Sequence, residues 1–162
     1  ELCIEHHVGL KELFEVLQDT DVSREEKEDR FEIFVNRVVA HAKAEEKTMY
    51  VQMKNDDADL RVEGFEGVTE HAIASQLIQE INATPDDDEW LAKVKVLADM
   101  IEHHVEEEET EMFKDFAEKV DADIRAELGA EYTRIYDEVV ALNARPPFKI
   151  NKIIENRVVR KH

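Results

Sequence analysis

His103-His104-Val105-Glu106-Glu107-Glu108-Glu109-Thr110-Glu111-Met112-Phe113 is the stretch on which the reading of this chain turns. An acidic run of this kind ordinarily forms a solvated helix face. Two positions resist that assignment. Val94, Leu97 and Ile101 recur at steps of three and four, and the rhythm continues into His104 and then Glu108. An imidazole and a carboxylate therefore sit one turn apart on the buried face. Each is costly there unless something pairs with it, and a metal ion suits that combination of donors.

The same arrangement occurs earlier. His41-Ala42-Lys43-Ala44-Glu45-Glu46-Lys47-Thr48-Met49-Tyr50 lies over His104 to Phe113 without a gap, with Glu at plus four, Met at plus eight and an aromatic at plus nine. Phe31, Phe34 and Val38 carry His41 and Glu45 onto a core face. The likeness reaches further upstream: His7 precedes Leu13 and Leu17 at the offsets at which His71 precedes Leu77 and Ile81. The chain is thus two helix pairs in tandem, each with a lone His early and His-x-x-x-Glu late. Antiparallel packing within each pair brings His7 level with His41 and Glu45, and His71 level with His104 and Glu108. A lone helical His is usually a surface residue, but six such positions repeating in register point to one centre. Four His and two Glu suit iron, manganese or zinc, and two shared carboxylates suit a dinuclear site.

The doubled histidines require a choice. His104 continues the Leu97–Ile101 face, and His7 aligns with His71 in the repeat, so these are preferred to His103 and His6.

A chain of 162 residues with 43% hydrophobic and 38% charged residues reads as one soluble globular domain with room for an appendage. A formal charge of −19 argues against nucleic acid and suits a cation site. No apolar run spans a bilayer and no secretory leader is visible, so a cytoplasmic location without membrane association is expected. The single Cys3 excludes an intrachain disulfide and fits a reducing compartment. Gly-rich phosphate loops and a nucleophile motif are missing.

Four Gly, three Pro and no alternating strand pattern predict an all-α chain. A first helix carries Leu10, Leu13, Phe14 and Leu17. Ser23-Arg24-Glu25-Glu26 is a capping box opening a second helix that runs to about Met53. Gly64 and Gly67 mark a bend before a third helix with Val68, His71, Ala74, Ile78 and Ile81. Thr84 caps a fourth, with Pro85 at its first position. Asp121 caps a fifth, through Leu128, Tyr132, Ile135, Val139 and Leu142. The expected divisions are a four-helix metal-binding bundle over 1–118, an additional helix over 119–144, and a basic amphipathic tail over 145–162. The tail sets six Lys or Arg against Glu155 alone, and suits docking on its own acidic domain, dimerisation or a protein partner.

Taken together, these motifs resemble the hemerythrin-like, or HHE cation-binding, domains over about residues 1–118. The resemblance rests on Glu5-His6-His7 with Leu13-Phe14, on His41 to Tyr50, on Glu70-His71, and on Lys93 to Leu97 running into His103 to Glu108. It implies an up-down four-helix bundle around two non-haem iron ions, bridged by two carboxylates and an oxo or hydroxo group. It also implies that His7 and His41 are terminal ligands of one iron and His71 and His104 of the other, with Glu45 and Glu108 as bridges. Ferritin-like bundles, which use Glu-x-x-His, are excluded: the residues three before each His are Ile4, Val38, Val68 and Ile101.

Two positions depart from the oxygen carriers of the family. Those have His-x-x-x-His in the third helix, where this chain has Ser75, and a fourth-helix carboxylate at plus five, where Glu109 rather than Glu108 stands. A short Ser75 side chain is expected to leave room near His71 and His104 for water, an exogenous ligand or the Glu70 carboxylate. The resulting expectation is a di-iron protein that binds or senses dioxygen, nitric oxide or peroxide. Its alternatives are a redox enzyme with weak peroxidase-type or nitric-oxide activity, and an iron buffer or regulatory module.

Overall fold

The structure is a computed structural model and describes residues 2–56 and 58–143. The basic tail and its expected last helix lie outside the described residues. Among the described residues there is no strand: α1 is Leu2–Gln18, α2 Arg24–Lys47, α3 Met49–Asp56, α4 Ala58–Asn82 and α5 Asp87–Glu107. A π-helical turn, Glu108–Met112, leads into α6, Phe113–Lys119, and α7 is Ala122–Asn143. No helix among them is long and apolar enough to cross a membrane.

Register is set by the apolar stripes. His7 meets His41 and, seven residues on in α1 and seven back in α2, Phe14 meets Phe34 edge-on with centroids 5.9 Å apart. That is antiparallel pairing. α1 also packs on α5, and α4 on α3 and α5, which closes a four-helix bundle with α3 and α6 extending two of its helices. One core cluster runs from Leu10, Phe14 and Phe34 to Trp90, Leu97 and Val105. A second gathers Met49, Tyr50, Met53, Leu60, Met112 and Phe116. The His and Glu positions fall between the two along each helix. α7 lies against α2 outside the bundle, burying Tyr132 and Ile135 over Ala44; Leu142, expected on that face, is exposed.

Local chemistry explains the helix ends. Ser23 forms the expected capping box: its Oγ accepts from the Glu26 amide, and Glu26 accepts from the Ser23 amide at 3.2 Å. Such a cap is worth about 1 kcal/mol. The expected Thr84 cap is corrected: Asp86 caps α5, accepting from the Glu89 amide at 2.9 Å. The Thr84 hydroxyl instead donates to the Glu80 carbonyl at 2.7 Å. The second helix does not run unbroken to Met53. Thr48, whose hydroxyl bonds back to the Ala44 carbonyl at 2.6 Å, breaks it at φ −125°, ψ −90°.

The expected bend at Gly64 and Gly67 is absent, because α4 passes straight through both. Gly67 serves packing: a Cβ there would lie 2.4 Å from Cζ of Tyr50. Only glycine lets that ring lie against α4. Lys27, unforeseen in the core, has no exposed surface, and its ammonium donates to the carbonyls of Leu17 and Asp19 at the end of α1.

Candidate metal centre

All six expected residues are buried and converge. His7, Glu45 and Glu108 have no exposed surface, and His41, His71 and His104 retain 4–7%. Nε2 of His7 lies 3.1 Å from Nε2 of His41, and Nε2 of His71 lies 3.1 Å from Nε2 of His104. Two imidazole pairs thus face inward, and the carboxylates lie between them. Glu108 places Oε2 3.0 Å from His7 Nε2 and 3.5 Å from His41 Nε2, with Oε1 2.8 Å from His104 Nε2. Glu45 places Oε1 2.6 Å from His41 Nε2 and 3.7 Å from His71 Nε2. Two donor groups of cation-binding size result, Glu45–His71–His104–Glu108 and His7–His41–Glu108.

The remaining ring nitrogens are tied down. His7 Nδ1 meets Glu109 Oε1 at 3.1 Å, His71 Nδ1 meets Glu46 Oε1 at 3.0 Å, and His104 Nδ1 meets Glu70 Oε2 at 3.0 Å. His41 Nδ1 meets the Tyr132 hydroxyl at 2.5 Å. An acceptor at Nδ1 fixes the Nδ1–H tautomer and turns the Nε2 lone pair toward the centre, which is the usual outer shell of a metal-binding His. Both oxygens of Glu45 and Oε2 of Glu108 are buried without a hydrogen-bond partner among the described residues. Facing lone pairs and orphaned carboxylate oxygens in a core cost several kcal/mol unless a cation or trapped protons sit among them. The donor set therefore fits a metal.

The electrostatics agree. Burial, and then the neighbouring Glu108 charge, hold the Glu45 carboxyl well above the usual range. Burial opposes charge on Glu108 too, but the His104 imidazolium holds it well below the usual range. Against its own burial, His104 is pushed up to about 11 by Glu108, Glu70 and Glu45. Burial lowers His71.

Glu108 stands one ordinary α-turn beyond His104, its amide bonded to the His104 carbonyl, and a π-helical turn follows, marked by the bond from the Phe113 amide to the Glu108 carbonyl. Glu108 points into the centre, while Glu109 reaches His7 from outside and also accepts from Lys11 at 2.7 Å. Tandem symmetry holds here as well: Glu46 and Glu109 each stand at plus five from the His of their own helix and serve the lone His of the other half. His103 is exposed and pairs with Glu107, so the preference for His104 agrees with the geometry. His6 lies outside the centre, with Nδ1 3.1 Å from the Tyr132 hydroxyl. Burial pushes it down to about 4.

Two expectations are overturned. Ser75 is exposed, so its small side chain is not what provides space beside His71 and His104. Glu70 occupies Nδ1 of His104 and does not fill an inner position. Three residues went unassigned in the sequence, and Glu46, the Nδ1 partner of His71, is one of them. Tyr50, swung inward by the break at Thr48, donates to Glu108 Oε1 at 2.8 Å; its recurrence at plus nine was the available signal. Tyr132 comes from α7, and its helical spacing marked it only as core.

Space beside the centre is small. A cavity of about 10 Å³ lies among Leu10, Val38, His41, His71, Ile101, His104 and Val105, room for about one water-sized molecule. On the outer side, an open groove between α4 and α5 has Val62, Phe65 and Met100 on its walls and reaches His71 and His104.

Comparison with curated proteins and with solved structures gives no match. The family model described as the hemerythrin HHE cation binding domain matches residues 1–116, which contain all six converging residues. The chain belongs to the hemerythrin HHE cation-binding domain family.

Proposed function

We propose that this protein holds two iron ions in the centre and uses them to bind or sense a molecule the size of dioxygen, nitric oxide or peroxide. His7 and His41 would hold one ion and His71 and His104 the other, with Glu45 and Glu108 offering carboxylate donors between the two imidazole pairs. The observation that carries this reading is the inward-facing set of four Nε2 atoms and three unpartnered carboxylate oxygens, divided into two groups that share Glu108. Mixed imidazole and carboxylate donors suit iron. When bound, iron supplies one-electron redox chemistry and open coordination for a small ligand.

The chain's own residues do the rest. The outer acceptors hold each imidazole in its tautomer. Leu10, Val38, Ile101 and Val105 line the small cavity beside the centre and keep bulk water from it. Tyr50 holds the phenolic proton on Glu108 Oε1 and fixes that carboxylate's rotation. A redox enzyme acting on peroxide or nitric oxide is the second reading, favoured by the groove that brings solvent to His71 and His104.

The test is anaerobic reconstitution with ferrous iron, metal analysis, and stopped-flow absorbance on mixing with dioxygen, nitric oxide or hydrogen peroxide. Stoichiometric iron with a ligand-dependent spectrum is expected. A chain that retains no iron would sink the proposal. An adduct releasing dioxygen intact under vacuum would favour a carrier over a sensing or reactive centre.

A further inference from the structure

Three of the four imidazoles at the centre lean on carboxylates; the fourth leans on a phenol. In the tandem repeat Glu70 precedes His71 and binds His104 Nδ1 directly. The equivalent residue before His7 is His6, and it does not reach His41. The Tyr132 hydroxyl stands between them, 2.5 Å from His41 Nδ1 and 3.1 Å from His6 Nδ1. With the hydroxyl oxygen accepting from His41, its own proton is free for His6 or for Cys3, whose thiol also hydrogen-bonds the phenol. The His6 ring in turn stacks on Tyr136 with centroids 3.7 Å apart, and Tyr136 also stacks on Tyr132 at 6.2 Å. Tyr132 is 3% exposed, whereas Tyr136 is half-buried and meets solvent. Both tyrosines lie in α7, beyond the residues matched by the family.

We propose that Tyr132, His6 and Tyr136 form a one-electron relay between the metal centre and the protein surface. Carboxylates could hold His41 equally well, as they do its three counterparts; a phenol differs from them in being oxidisable. The relay rests on the iron reading above. Its oxidant is a hydroperoxide, which on O–O cleavage takes up two electrons and two protons and gives, for hydrogen peroxide, two waters. With one ferrous ion present, the centre supplies one of those electrons. Tyr132 supplies the other through His41 and passes its phenolic proton to His6 Nδ1, becoming a neutral radical, while two protons come from solvent. Tyr136 then gives an electron to Tyr132, His6 returns the proton to the Tyr132 oxygen, and Tyr136 releases its own hydroxyl proton to solvent. The net result is an electron drawn from the surface and an oxidising equivalent removed from the core.

The competing tyrosine is Tyr50, which donates to Glu108 and whose ring meets His71 rather than a second tyrosine. The experiment uses the full chain, loaded with ferrous iron, with stoichiometry measured first. The centre is oxidised by one equivalent, mixed with hydrogen peroxide, freeze-quenched and read by electron paramagnetic resonance. A tyrosyl radical is expected in the parent chain. Tyr132→Phe, compared at equal iron content, loses it, and Tyr136→Phe retains it with a longer lifetime. His6→Leu, which keeps Tyr132 but removes its proton acceptor, lowers the yield at unchanged iron content. Iron-loaded parent protein with no radical overturns the relay and leaves the di-iron reading standing. A radical undiminished in Tyr132→Phe also overturns it. A chain that takes up no iron overturns both.

Discussion

Of the four successive acids at 106–109, Glu106, Glu108 and Glu109 differ in what replacing each by Gln should do to metal binding. Glu106 is exposed, and its replacement should leave iron uptake unchanged. Glu108 has no exposed surface and belongs to both donor groups, so Glu108→Gln removes an anionic donor from both ions together. Glu109 lies outside the centre and acts through Nδ1 of His7 alone. An outer partner of this kind is worth roughly 10–100-fold in metal affinity, about 1.4–2.8 kcal/mol. The Glu109 carboxylate is 21% exposed and shared with Lys11, both of which weaken its hold on His7. The lower end, about tenfold, is therefore expected. It should fall on one ion only, because the second donor group contains neither His7 nor Glu109. Competition with a ferrous chelator, read as iron per chain, should give two equal phases for the parent, one weakened phase for Glu109→Gln and no stoichiometric iron for Glu108→Gln. Two retained ions in Glu108→Gln, or equal losses in Glu106→Gln and Glu109→Gln, would refute the assignment of these faces.

His104→Ala should lose metal while His103→Ala keeps it, measured by metal analysis after reconstitution, since His103 is exposed and pairs only with Glu107. Gly67→Ala drives a Cβ into the Tyr50 ring and should cost about 1–3 kcal/mol in denaturant unfolding, with a less than additive effect alongside Tyr50→Leu. Lys27→Ala leaves the carbonyls of Leu17 and Asp19 without their buried donor; a loss of about 1–3 kcal/mol is expected by the same measurement. Metal uptake should release protons. His104, at about 11 in the metal-free protein, carries a proton at pH 7 that the metal displaces, and Glu45, held above the usual carboxylate range, adds to the release at lower pH. Affinity should therefore rise with pH up to about 11, which calorimetry in buffers of different ionisation enthalpy will check.

The all-helical fold and the burial of the six converging His and Glu residues were legible in the sequence because a helix encodes its buried face locally. Steps of three and four carried Leu97 and Ile101 into His104 and Glu108, and Phe34 and Val38 into His41 and Glu45. The tandem repeat then selected His7 over His6. What the chain could not show along its length is how one helix is rotated against another. The partners of Nδ1 all come from a different helix: Glu109 for His7, Glu46 for His71, Glu70 for His104 and Tyr132 for His41. Each lies off its own helix's apolar stripe or reads as ordinary core. Ser75 was misjudged for the same reason, since its direction depends on how α4 is turned, and that rotation leaves it exposed. Gly67 looked like a bend because glycine in a sequence signals backbone freedom, whereas here it marks a side chain pressed against the helix. The π-helical turn after Glu108 belongs to the fold too, since one extra residue in a turn leaves no mark on composition.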